Sequence, residues 1–89
     1  MKVTHLGTQL IDFTPQDKNE PVQGAKIHYY YEDSDASQWI GFCVSNVFVR
    51  KDNPLYKKAC TMVSGTDYNL VYEFNGRRAY LSDIVPLDD

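Results

Sequence analysis

Between residues 25 and 32 the chain reads "AKIHYYYE", and its apolar and polar positions alternate. Side chains of a strand alternate between two faces, so Ile27, Tyr29 and Tyr31 fall on one side and Lys26, His28 and Tyr30 on the other. If the first set is core, Tyr30 puts an aromatic ring outside it, beside a histidine and a lysine. The same period of two recurs in "VTHLGTQLIDF" (3–13), where Gly7 marks a bulge or bend. It recurs in "DYNLVYEF" (67–74), with Tyr68, Leu70, Tyr72 and Phe74 on one face. "RRAYLSDIV" (77–85) follows directly after Asn75–Gly76, a strong hairpin signal.

Residues 39–50, "WIGFCVSNVFVR", form the longest strand candidate, and its alternation is imperfect. Ile40, Phe42, Val44 and Phe48 share one parity, while Cys43, Val47 and Val49 share the other. Such a strand is either buried on both faces at one end or changes face through a bulge. The period then lengthens. In "DNPLYKKACTMVSG" Asn53 is placed to cap a helix, Pro54 stands at its first position and Gly65 stops it. Leu55, Ala59, Met62 and Val63 form its apolar stripe, opposite Lys57 and Lys58.

The order is therefore β-β-β-α-β-β in a single domain spanning 1–89, a mainly β fold with one short helix. That order fits a five-stranded OB-like barrel, whose helix lies between the third and fourth strands. An SH3-like barrel is the competitor, though it does not ordinarily place a three-turn helix there. Closure would also leave so short a chain without a long exposed edge.

Composition narrows the function. With 43% hydrophobic and 13% aromatic residues, the chain is too apolar for disorder. No apolar run approaches a membrane span, and "MKVTHLGTQL" lacks the core of a signal peptide, which points to the cytoplasm. Two cysteines, Cys43 and Cys60, read as reduced, buried thiols rather than a disulfide scaffold. The net charge of −3 argues against indiscriminate polyanion binding, yet its distribution is uneven. Arg50, Lys51, Lys57 and Lys58 crowd "RKDNPLYKK", and Arg77 and Arg78 follow the last turn, whereas Glu32, Asp33 and Asp35 collect in another.

No catalytic signature is legible. His5 and His28 stand at no metal-ligand spacing from either cysteine, and no phosphate loop or cofactor motif occurs. A histidine alone in a strand is more often structural. Binding is better supported. Proteins that hold single strands combine cations that track the backbone with aromatic faces on which bases stack, each base contributing roughly 1–3 kcal/mol. Lys26, His28 and Tyr30 on the second strand, Trp39, Phe48, Arg50 and Lys51 along the third, and Arg77, Arg78 and Tyr80 on the last hairpin supply both. The plainer reading is that tyrosines of a small sheet pack at the core rim, which suits Tyr29, Tyr31, Tyr68 and Tyr72 better than Tyr30 or Tyr80.

The stretch "YNLVYEFNGRRAYLSDIV", a short strand ending in "EFN", a tight turn and then "YLSDIV", resembles the closing hairpin of compact OB-fold single-stranded-DNA-binding proteins of phages and mobile elements, the filamentous-phage type among them. Over residues 67–85 the likeness is one of sequence; elsewhere it is one of element order. It implies binding of single-stranded DNA during replication or transfer, by homodimers that coat the strand, with Tyr30, Phe48 and Tyr80 stacking and Arg50, Lys51, Arg77 and Arg78 on phosphates. The net acidity departs from that pattern. The acidic end "IVPLDD" reads as a frayed terminus or, alternatively, as a dock for replication proteins. A rival to nucleic-acid binding is a small protein-interaction module that uses the same exposed aromatics.

Overall fold

The computed structural model describes residues 1–17, 19–33, 35 and 37–87. Lys18 of the polar loop, Ser34 and Ala36 of the turn "DSDAS", and Asp88 and Asp89 of the acidic end lie outside the described residues, and with the last two lie both readings of that end. Among the described residues five antiparallel strands form one sheet: β1 (Lys2–Phe13), β2 (Val22–Tyr31), β3 (Cys43–Arg50), β4 (Asp67–Asn75) and β5 (Arg78–Pro86). A short helix, α1 (Tyr56–Cys60), stands between β3 and β4. The strand order is β3-β2-β1-β4-β5.

β1 turns the sheet. Its start pairs with β4, Lys2 to Thr4 against Asn69 to Asp67, and from Thr4 onward it pairs with β2 as far as Phe13 against Val22. The register slips between His5 and Gly7, so the bulge expected at Gly7 lies where one ladder hands over to the other. That bend lets all five strands and the helix share one core: Val3, Ala25, Ile27, Tyr29, Val49, Leu55, Ala59, Tyr68, Leu70 and Ile84.

The sheet is not closed into a barrel. Among the described residues no ladder joins β3 to β5, and both remain edges. α1 ties together what the ladder leaves apart. Ala59 and Leu55 enter the core, the Ala59 carbonyl accepts the Thr8 hydroxyl of β1 at 3.0 Å, and Lys58 Nζ pairs with Asp83 Oδ1 of β5 at 2.7 Å.

Three expectations need correction. The helix has 5 residues rather than three turns, with Leu55 as its N-cap. The Asn53 side chain does capture a backbone donor, but that of Leu55 at 2.9 Å, while the Tyr56 N–H returns to the Asn53 carbonyl at 2.9 Å. Asn53 and Pro54 thus make a tight turn ahead of the helix, and Met62 and Val63 fall beyond its end. β3 begins at Cys43, leaving Trp39 in the preceding loop, and runs against β2 with no register shift. Neither double burial nor a face swap occurs: Cys43 and Val49 point in, while Val44, Asn46, Phe48 and Arg50 point out. Finally, only Cys43 is a buried thiol; Cys60 is exposed, and both are free. A smaller shift concerns the last hairpin, where Asn75 pairs with Arg78 so that Gly76 (φ +66°) and Arg77 form the turn. Glycine in that leading place suits a type II′ turn.

His5 is a core residue. Its Nε2 lies 2.8 Å from Thr8 Oγ1, whose hydroxyl also reaches the Ala59 carbonyl at 3.0 Å. Nδ1 is buried without a partner, and the ring meets Tyr68 edge-on at 6.2 Å. Burial lowers the imidazole's pKa, against a smaller opposing pull from the Val63 backbone.

Candidate functional site

The β2–β3 register assembles one outward face. Tyr30 stands opposite Val44, His28 opposite Asn46 and Lys26 opposite Phe48. β1 extends the face, with Thr4 beside Tyr30 and Gln9 beside Lys26. The hairpin alternation that drives Ile27 and Tyr29 into the core is what turns these residues to solvent.

Two aromatic stations occupy the face. At one end the Tyr30 ring lies 4.8 Å from that of Phe42, the planes inclined at 52°. Phe42 is 52% exposed, so the pair is a surface feature rather than an extension of the core. At the other end Phe48, 39% exposed, lies over the backbone of Gly24. A β-carbon at position 24 would stand 2.6 Å from Phe48 Cζ and 2.3 Å from the Val49 carbonyl oxygen, so glycine is what allows the ring to approach this backbone. The stations are about 13 Å apart, taking four residues of β3 at ~3.3 Å each.

Polar groups fill the interval. His28 Nε2 lies 3.2 Å from Gln9 Oε1, an exposed hydrogen bond that links β2 to β1. Lys26 flanks Phe48, and Arg50 follows it, with Arg50 Nε 3.5 Å from Asp52 Oδ1 in an exposed pair. Exposed pairs of this kind contribute at most about 1 kcal/mol and separate readily. Lys51 lies just past β3, its N–H bonded to the Gln23 carbonyl at 3.0 Å.

Charge changes sign along the face. Lys26 and Arg50 flank Phe48, whereas the Tyr30–Phe42 end opens into a hollow of ≈ 430 Å³ whose lining holds two carboxylates, Glu32 and Asp67, against one cation, Lys2. Asp67 is engaged there: Thr4 Oγ1 donates to Oδ1 at 2.6 Å, and Lys2 Nζ lies 3.7 Å from Oδ2. Beyond Phe42 a second hollow of ≈ 300 Å³ is lined by Glu32, Asp33, Gly41 and Phe42, which makes Phe42 a wall between the two.

Not every sequence candidate joins this face. Trp39 is exposed in the loop before β3. Arg77, Arg78 and Tyr80 belong to the β4–β5 hairpin, where residues 73–80 are all exposed and Phe74 is 75% so. Tyr80 is opposite Glu73 and donates to its Oε2 at 2.9 Å, a bond that raises the phenol's pKa. Among the described residues no ladder carries this hairpin to β3, so it is a separate group of ring and cations. Conversely, Phe42, Glu32 and Gln9 belong to this face but were not among the binding residues expected from the sequence. Phe42 shares a parity with Phe48, and that shared parity was the available signal.

No protein-family model, curated protein or solved structure matches the chain.

Proposed function

We propose that the outward face of β2 and β3 binds single-stranded nucleic acid, DNA in the first instance, by aromatic stacking combined with phosphate contacts. One observation carries the reading: two surface aromatic stations, half-buried Tyr30 against exposed Phe42 and, four residues along β3 from Val44, exposed Phe48, accompany Lys26 and Arg50. Sequence-tolerant binding of single strands requires this combination, because every base offers a π-face and every linkage a charge. The strand order β3-β2-β1-β4-β5 with a helix between β3 and β4 supports the reading because it is compatible with an OB-like arrangement, in which the second and third strands carry the ligand. In this reading bases stack on Tyr30, Phe42 and Phe48, while Lys26, Arg50 and Lys51 contact phosphates. Arg77, Arg78 and Tyr80 offer a second contact on the projecting hairpin.

A second reading rests on a different feature of the same face. Phe42, Val44 and Phe48 form an exposed apolar row beside an unpaired sheet edge, which suits a protein partner. Salt separates the two. Each phosphate neutralised on a single strand steepens the dependence of log K on log salt by about 0.7, whereas an apolar interface responds weakly.

The test is a titration with oligo-dT at low and high salt, followed by the fluorescence of Trp39 and by a labelled oligonucleotide in parallel. Binding that weakens steeply with salt supports the proposal. An oligonucleotide that stays free at low salt removes it and turns attention to a protein partner.

A further inference from the structure

The hollow at the Tyr30–Phe42 end is poorly suited to phosphate and well suited to something else. Two carboxylates, Glu32 and Asp67, and one cation, Lys2, line it beside the two rings, and Lys2 is turned to Asp67. Asp67 is already bound by Thr4 and lies near Lys2, but among the described residues no cation pairs with Glu32. An ionised carboxylate is an acceptor only, with two oxygens able to take two parallel N–H donors. It would repel a phosphate and reward a ligand that brings donors.

We propose that this hollow is a base-selective subsite that takes guanine, with the base stacked against Tyr30 and Phe42 and its Watson–Crick edge turned to Glu32. The inference rests on the single-strand reading above and deepens it. Of the common bases only guanine carries two adjacent N–H donors on that edge, the ring N1–H and the 2-amino group. Adenine and cytosine place a ring acceptor beside their amino group, and thymine flanks one N–H with two carbonyls, so each sets a lone pair against the carboxylate. Unpaired bases of single strands are read in this manner, by stacking plus hydrogen bonds to their exposed edges. A volume of ≈ 430 Å³ is within the range of small-ligand sites.

The sign change along the face follows from the same arrangement. Lys26, Arg50 and Lys51 hold the backbone near Phe48, and Glu32 meets a base rather than a phosphate at the far end. Acid beside a nucleic-acid face then becomes a source of selectivity. It sets a direction along the strand as well.

The experiment compares three labelled oligonucleotides on the intact chain: oligo-dT, the same with one central dG, and the same with deoxyinosine there, which lacks the 2-amino group. A single dG is expected to tighten binding about tenfold over oligo-dT, in line with the discrimination of a bidentate contact, and deoxyinosine to recover little of that gain. In Glu32→Ala the dG advantage should vanish while oligo-dT still binds at least as well, since an acidic group has been removed. If wild type binds oligo-dT but gains nothing from dG, or if the gain survives in Glu32→Ala, the subsite is wrong and the single-strand reading stands. If oligo-dT is not bound at all, both fall together.

Discussion

The ring of Phe48 lies across the backbone of Gly24, with no room between them for a β-carbon. The two residues are on neighbouring strands, diagonal to each other and two residues out of register, since Phe48 is opposite Lys26 and Gly24 is opposite Arg50. The bare backbone at 24 and the ring at 48 are therefore one feature. It fixes the orientation of an exposed aromatic without burying it.

Gly24→Ala should accordingly destabilise the protein by about 1–3 kcal/mol, the usual range for forced overpacking. In a Phe48→Ala background the same change should cost less, because one of its two collisions is gone while that with the Val49 carbonyl remains. Urea denaturation of the four proteins of this cycle measures the coupling. Equal costs in both backgrounds would mean that the ring does not rest on Gly24.

The two adjacent tyrosines of β2 should behave oppositely. Tyr29 is buried in the core, and Tyr29→Ala should cost about 3–5 kcal/mol of stability, as for other large aromatic deletions. Tyr30→Ala should leave the urea midpoint nearly in place and weaken oligo-dT binding by roughly five- to a hundredfold, corresponding to one lost stacking contact. Denaturation and binding titrations on both variants check the contrast.

Below neutrality, His5 should make folding sensitive to pH. Its folded pKa lies below the ordinary 6.5, so the unfolded chain takes up a proton before the native one does. The contribution is fully present above about 6.5 and is lost as pH falls from there toward the folded value. Nuclear magnetic resonance of the His5 ring should give a titration midpoint below 6.5, and urea midpoints should drop over the same window.

At the alkaline end the sensitive group is Tyr72. Burial, and after it the hydrogen bond and charge of the neighbouring Tyr29, push its phenol up to about 12 from 10.0. The unfolded phenol therefore ionises first, and stability should fall as pH rises between those values. Tyr72→Phe should flatten the stability profile in that window. Ultraviolet absorbance should show one tyrosinate appearing later than the rest in the wild type.

Much of the fold was legible because it is local. The "IHYYYE" alternation named the inward and outward residues of β2, and the Tyr68–Leu70–Tyr72 parity did the same for β4. Gly7 marked the bulge, since a residue without a side chain relieves a bend that others resist. The helix was overestimated for a related reason. Leu55, Ala59, Met62 and Val63 keep helical spacing, but Asn53 binds the Leu55 N–H and the chain leaves the helix after Cys60, so packing of Leu55 and Ala59 decided its length.

The sequence by itself determined which side chains leave the core of each strand, since a period of two is written residue by residue. Only the tertiary structure decided what those side chains face. That Phe42 meets Tyr30, that Phe48 rests on Gly24, and that Arg78 and Tyr80 stand on another hairpin all depend on strand register and on the bend at His5–Gly7. The same holds for the two open edges, β3 and β5. Register joins residues distant in the chain, and its energy comes from the shared core as a whole, so no single segment carries it.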